Sequence, residues 1–199
     1  MKLRIGALAF ACAMAGAAIG VGAAQASSPE FLQRLMGAAG KDGRQVACFK
    51  RVYDPAHLKS HPQQNVQRMT LLVSIDPDTG STNPTVSLGV DFRRGKNFQS
   101  GGSCGEVKDE KTGAAQALRC GVDCDGGEIG VSLKDDKSVR VTIPDGARLW
   151  RPGQDDDDMS SRRRFGSDDK LFRVDRASGV DCLSLTSEPA VKALLRGAR

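Results

Sequence analysis

From residue 45 onward the chain alternates apolar and polar residues with a period of two. In the segment 69–75 the odd positions are all apolar, whereas Thr70 and Ser74 between them are polar. Because successive side chains of a β-strand point to opposite faces, this pattern predicts strands with one buried face. Five segments show it, and their apolar positions are Met69, Leu71, Val73 and Ile75; Val86, Leu88, Val90 and Phe92; Leu118, Cys120, Val122 and Cys124; Ile129, Val131 and Leu133; Val139, Val141 and Ile143.

Further strands are predicted at 45–53, 98–107, 170–175 and 180–185, giving eight or nine in all. Short turn-forming sequences separate most of them, and short connections favour antiparallel neighbours. A row of sequential strands removes its exposed edges by closing on itself. We therefore expect an all-β, mainly antiparallel fold, a small closed or nearly closed barrel of about eight strands, with a sandwich as the alternative.

Short helices are predicted at both ends of this β region. Ser28 suits the N-cap and Pro29 the first position of a helix that ends by Gly40. A second helix is predicted over 187–196, where Ser, Glu and Pro precede an apolar run. We expect this C-terminal helix to lie against the outside of the barrel or to plug one end.

The first 26 residues have the pattern of a cleavable signal peptide. Lys2 and Arg4 form a basic start, an apolar run extends to about Val21, and Ala24-Gln25-Ala26 is a small-x-small cleavage site. We expect Sec-type export, cleavage after Ala26, and a periplasmic or extracellular location. An uncleaved membrane anchor would need ~20 apolar residues that do not end in a small-x-small cleavage site.

Residues 27–199 are predicted to form a single β domain with no membrane span. The chain has a formal net charge of +5, which falls to +3 when Lys2 and Arg4 leave with the signal. So small a surplus does not predict nucleic-acid binding. Between 153 and 169 four aspartates are followed by three arginines without apolar periodicity, which predicts a mobile, solvated loop in place of a calcium or anion site.

Five of the six cysteines remain after cleavage, because Cys12 belongs to the signal. In an oxidising compartment this odd number predicts two bridges with one spare thiol, or one bridge with three thiols. A zinc site built from Cys104, Cys120 and Cys124 with a histidine would lack the usual C-x-x-C spacing. We expect disulfides, and no cofactor.

The register of a predicted hairpin predicts one disulfide pair. Cys104 and Cys120 each lie eight residues from Thr112, the centre of a predicted hairpin, so they should face each other. A slipped register would pair Cys104 with Cys124 instead. Cys120 and Cys124 are ~13 Å apart along one strand and too distant to bridge each other.

Barrel closure predicts the other pair. Cys48 lies in the first predicted strand and Cys182 in the last, and these strands become neighbours if the barrel closes first on last. A Cys48–Cys182 bridge would leave Cys124 as a buried spare thiol.

His57 and His61 are weak candidates for a metal site. Their spacing of four would place both imidazoles on one face of a helix. Asp54-Pro55 can start a helix here, but Pro62 allows only about a turn and a half. A connector between two strands is the preferred interpretation.

Two motif fragments do not support catalysis or calcium binding. Gly101-Gly102-Ser103-Cys104-Gly105 matches G-x-S-x-G, but a nucleophile elbow needs a strand before the serine, a helix after it and a later histidine. The segment 123–128 resembles part of a calcium loop but lacks the remaining ligands, so a hairpin turn explains it better.

These observations favour a non-enzymatic envelope protein that uses its β-barrel as a binding or interaction module. Its partner would be an unidentified envelope protein or a small ligand. The alternatives are a carrier of a small apolar ligand in the barrel interior and a thiol-active or metal-binding periplasmic protein.

Overall fold

A computed structural model describes residues 29–123, 125–152 and 164–197. The strands are β1 (Gln45–Val52), β2 (Val66–Ile75), β3 (Thr85–Phe92), β4 (Phe98–Lys108), β5 (Ala115–Val122), β6 (Gly127–Asp135), β7 (Ser138–Thr142) and β8 (Leu171–Arg176). The α-helices are α1 (Pro29–Met36), α2 (Pro55–Ser60) and α3 (Pro189–Gly197), and 3-10 helices occupy Pro77–Thr79 and Gly179–Leu185.

The eight strands form a closed antiparallel barrel in sequence order, which confirms the predicted fold class. Every strand pairs with its neighbours in the chain, and β1 closes the barrel on β8 through Phe49 opposite Arg176 and Lys50 opposite Asp175. The hairpin between β4 and β5 turns at Thr112 and Gly113, and Gly113 takes a φ of 68° that glycine adopts without a Cβ penalty. Its register sets Cys104 opposite Cys120, as the symmetric pairing predicted.

The inward face of the barrel is the face that the period-two pattern predicted. The predicted inward positions that the structure describes are buried, except that Leu133 is only partly buried near the end of β6. Helix α1 covers one end of the barrel with Phe31, Leu35 and Met36. It is held there by Arg176, whose guanidinium donates to the carbonyl oxygens of Arg34 and Leu35 at 2.7 and 3.1 Å.

The other end is covered by α2 and by the chain that follows β7. Leu58 of α2 is buried there, and Ile143, Ala147 and Leu149 are almost completely buried. Asp54 caps α2 by accepting from the backbone amide of His57 at 2.8 Å, as a helix start at Asp54-Pro55 requires. With both ends covered, a continuous apolar core fills the barrel.

The prediction of a strand at 180–185 is wrong, because this segment is part of the 3-10 helix Gly179–Leu185. Its buried residues, Gly179, Cys182 and Leu185, are three apart, which matches the three residues per turn of a 3-10 helix. The alternation of two in the sequence therefore did not reflect the face that becomes buried.

This 3-10 helix and α3 form an outer layer on the barrel wall. A second, smaller core joins them to the outward face of β1 and β2, and its buried members are Cys48, Leu72, Cys182, Leu185, Val191 and Leu195. The layer explains why Leu72 and Thr70 are buried although both point away from the barrel axis. The C-terminal helix thus lies against the outside of the barrel, one of the two predicted positions.

Several predictions lie partly or wholly outside the described residues, namely the signal peptide, Cys124 and most of the charged loop. Residues 164–169 of that loop are described, and Asp169 among them is fully buried. Its carboxylate accepts backbone amides of Gly166 and Asn65 at 2.7 and 2.8 Å, which ties the end of the loop to the chain before β2. None of the described helices is long and apolar enough to cross a bilayer.

Candidate functional site

A concavity lies outside the barrel, between its wall and the outer layer. It has a volume of about 800 Å³, and we call it the outer groove. Lys50, Thr70 and Gln99 lie along its wall on β1, β2 and β4, and Val180 and Ser184 of the 3-10 helix face them. A barrel wall alone is convex, so the groove exists because the 3-10 helix stands beside it.

Two contacts fix the 3-10 helix over the wall. The side-chain amide of Gln99 donates to the Ser184 carbonyl at 2.9 Å. At Gly89 on β3, a Cβ atom would lie 3.0 Å from Leu185 Cδ2, so glycine allows the helix to approach closely.

Two ion pairs cross the groove or line it. Lys50 Nζ lies 2.6 Å from Asp181 Oδ1 and links β1 to the 3-10 helix. Arg68 pairs with Asp91 at 2.7 Å, and Asp91 also accepts the backbone amide of Asn97 at 2.9 Å. The two carboxylates of the groove are therefore already paired with cations.

At one end of the groove, basic side chains collect around the ring of Phe98. The guanidinium carbons of Arg151 and Arg164 lie 4.4 and 4.5 Å from its centroid. Lys96 lines the same end of the groove, and Arg94 lines an adjoining hollow of about 390 Å³ together with Arg164. We call Arg94, Lys96, Arg151 and Arg164 the Phe98 cation cluster.

The cluster has no acidic counterpart in the part of the chain that the structure describes. None of its four members lies in an ion pair with a described carboxylate. The Nε atom of Arg151 is buried and lacks a hydrogen-bond partner. The neighbouring Arg93 differs, because it donates to the carbonyl oxygens of Gln64 and Leu58, each at 2.7 Å, and so secures the end of α2.

The cysteines predicted to pair lie at disulfide distance. Cys48 faces outward from β1, and its sulfur is 2.04 Å from that of Cys182 in the 3-10 helix. This contact ties the outer layer to the wall, so it arises from packing of the layer on β1 and not from neighbouring first and last strands. Inside the barrel the sulfurs of Cys104 and Cys120 are 2.10 Å apart.

His57 of α2 and His61, which follows this helix as its C-cap, do come together, with their ring centroids 4.2 Å apart. His57 Nε2 lies 3.0 Å from the side-chain oxygen of Gln64, and His61 Nδ1 lies 3.0 Å from the His57 carbonyl. Among the described residues no group of three or more histidine, cysteine or acidic side chains is placed to hold a metal.

The G-x-S-x-G fragment lies inside β4. In the fragment at 123–128, Asp123, Asp125 and Gly126 lie between β5 and β6, the last two residues begin β6, and Cys124 is outside the described residues. Ser103 is opposite Gly121 in the β4–β5 ladder, so no helix follows it and no nucleophile elbow forms.

Two buried groups near the α2 end have shifted pKa values. Burial raises the pKa of Tyr53 to about 12, and its hydroxyl donates to the Arg173 carbonyl at 3.1 Å. Burial also raises the pKa of Asp169, against the opposing effect of the backbone amides that its carboxylate accepts. Both groups join chain segments at this end of the barrel, so their role is structural.

Sequence reasoning missed the outer groove and the Phe98 cation cluster. The only local signal was the basic turn Arg93-Arg94-Gly95-Lys96 between two predicted strands. Arg151 and Arg164 join it only because the chain after β7 returns to β4, where Trp150 and Gln99 exchange backbone hydrogen bonds at 2.7 and 2.9 Å.

A scan against protein-family models, a search of curated proteins and a search of solved structures each found no match for this chain.

Proposed function

We propose that this protein is an exported, non-enzymatic binding module that takes its ligand or partner in the outer groove. The observation that carries the proposal is the contrast between a barrel interior filled by side chains and an open concavity of about 800 Å³ on its wall. Concave surfaces with a few convergent polar groups are the usual places for recognition.

Export is supported by the N-terminal sequence and by the cysteines. Two cysteine pairs at disulfide distance are typical of proteins that reside in oxidising compartments. The first 26 residues have the basic, apolar and small-x-small regions of a signal peptide.

The two alternative functions have less support. A carrier needs an internal cavity, but large side chains such as Phe49, Leu71 and Leu88 are fully buried in the interior that the described residues define. A thiol-active protein would depend on Cys124, the cysteine outside the described residues. Thiol titration with and without denaturant tests that alternative.

Export predicts that the mature protein begins at Ser27. Mass spectrometry of the protein recovered from the producing cells should give a mass that lacks residues 1–26 and is lower by four hydrogen atoms, two for each disulfide. An intact N-terminus or a lipid on Cys12 would contradict this proposal.

Binding in the groove is tested by site-specific photocrosslinking. A benzophenone amino acid at Val180, which is 55% exposed in the groove, should give a covalent adduct in the producing cells. The matched control is the same amino acid at Leu171 on β8, which is 58% exposed and lies outside the groove. Equal adducts from both sites, or none from Val180, would refute groove binding.

A further inference from the structure

The Phe98 cation cluster concentrates positive charge that the described part of the protein does not neutralise. Arg151 and Arg164 lie against one ring, and Lys96 and Arg94 line the hollows beside it. The two carboxylates that line the groove, Asp91 and Asp181, are already paired with Arg68 and Lys50. Like charges held close together repel each other and lower the free energy of unfolding. An arrangement of this kind becomes favourable when an anion binds.

The donors of the cluster are available to a ligand. A cation–π contact uses no N–H group, so Arg151 and Arg164 can contact Phe98 and still donate hydrogen bonds to a ligand. The buried Nε of Arg151 makes no hydrogen bond, and a buried donor without an acceptor is costly. Guanidinium groups match the geometry of phosphate and carboxylate oxygens.

The rest of the groove suits the body of an organic molecule. Its volume of about 800 Å³ is far larger than an inorganic ion needs and lies in the range of small-molecule sites. Its remaining charges are neutralised in the Lys50–Asp181 and Arg68–Asp91 pairs, and Val180 and Leu185 supply apolar surface.

We propose that the outer groove binds an organic anion whose phosphate or carboxylate group contacts Arg151 and Lys96, the two members of the Phe98 cation cluster that line the groove. The body of the ligand then extends along the 3-10 helix toward Val180. This inference rests on the proposed function and adds to it the chemical class of the ligand.

The single tryptophan provides the measurement. Trp150 precedes Arg151 and pairs with Gln99 at the groove wall, so its fluorescence should report binding at the cluster. Titrations with inorganic phosphate, octyl phosphate and octanoate at constant ionic strength should give saturable changes that sodium chloride does not produce. Octyl phosphate should bind about tenfold or more tightly than inorganic phosphate, because its chain buries apolar surface.

The double variant K96Q/R151Q keeps polar side chains but removes two charges from the groove. It should weaken binding of octyl phosphate by about tenfold or more, since each lost charge-assisted hydrogen bond contributes about that factor. Its thermal midpoint should stay close to that of the parent, because relief of repulsion offsets the lost contact of Arg151 with Phe98, and this keeps loss of binding distinct from unfolding. The matched control is R140Q, an exposed arginine on β7 at the far side of the barrel, which should bind as the parent does.

A lipid source for the anion is distinguished with vesicles. Binding to phosphatidylglycerol vesicles and not to phosphatidylcholine vesicles identifies a lipid headgroup, whereas binding to the soluble anions alone identifies a free organic anion. No saturable change with any probe, unaltered affinity in K96Q/R151Q, or an equal loss in R140Q would overturn the inference. If Val180 still gives a crosslinked adduct while these binding tests fail, the proposed function of the groove stands and only the anionic class of its ligand is refuted.

Discussion

The two cysteine pairs should differ in what they contribute to stability. Cys48 and Cys182 are 134 residues apart in the sequence, whereas Cys104 and Cys120 are 16 apart. A bridge that closes a longer loop removes more conformational entropy from the unfolded chain, and the dependence is logarithmic. This dependence gives about 5 kcal/mol for the first pair and about 3 kcal/mol for the second.

The perturbation is a pair of double variants, C48A/C182A and C104A/C120A. Both replace two buried cysteines by alanine, so the loss of side-chain packing is similar and the difference between them isolates the loop length. Equilibrium unfolding in urea should place C48A/C182A below C104A/C120A by about 2 kcal/mol. An equal effect, or a larger loss from C104A/C120A, would refute the loop-length explanation.

The same variants should differ in which part of the protein loosens. The Cys48–Cys182 bridge is the covalent link between the barrel wall and the outer layer, so its removal should accelerate amide exchange in Gly179–Leu185 while the barrel ladders stay protected. Removal of Cys104–Cys120 should instead affect β4 and β5. Loss of protection throughout the barrel in C48A/C182A would mean that the outer layer does not open separately.

Three further predictions concern single residues. Tyr53 is the only tyrosine, so absorbance titration should give a pKa of about 12 in the folded protein and about 10 in denaturant. Because burial penalises the ionised phenolate, the folded pKa is the higher one, and the free energy of unfolding should fall by up to about 3 kcal/mol as pH rises from 10 to 12; a folded pKa near 10 would contradict its burial. In G179A the new Cβ would overlap the Leu195 carbonyl oxygen, so α3 must shift at a cost of about 1 to 3 kcal/mol, measured by thermal unfolding; an unchanged midpoint would show that the contact is not tight. F49A should cost about 3 to 5 kcal/mol because Phe49 is fully buried in the barrel, and a cost below 1 kcal/mol in urea unfolding would contradict a filled interior.

The barrel could be predicted because its determinants are local. A strand buried on one face imposes a period of two, and the segments around Leu71, Val131 and Val141 carry that period in the sequence. The register of β4 on β5 follows from the centre of one tight turn, so it set Cys104 opposite Cys120. Both inferences need only neighbouring residues in the chain.

The outer layer could not be predicted in the same way. Leu72 and Cys48 point away from the barrel axis, and nothing in their own strands indicates that a segment more than 100 residues away covers them. In Gly179–Leu185 the alternation of two is accidental, and the spacing of three becomes visible only once the partner surface is known.

The candidate site was hidden for a related reason. The chain has 29 lysines and arginines, and no local pattern separates Arg151 and Arg164 from the others. They meet on Phe98 because barrel closure and the return of the chain after β7 bring three distant segments together. A site assembled in this way is a property of the tertiary fold and leaves no motif.

The position of the groove follows from the different roles of the barrel and the outer layer. Buried apolar side chains of the described residues occupy the interior of the barrel, so the interior contributes stability. The outward positions of the strands are free to carry charge, but a convex wall cannot enclose a molecule. The 3-10 helix supplies the second wall, and Cys48–Cys182, Lys50–Asp181 and Gln99–Ser184 hold it at a fixed distance. These three contacts therefore determine the width of the groove, and a variant that breaks them should change binding before it changes the barrel.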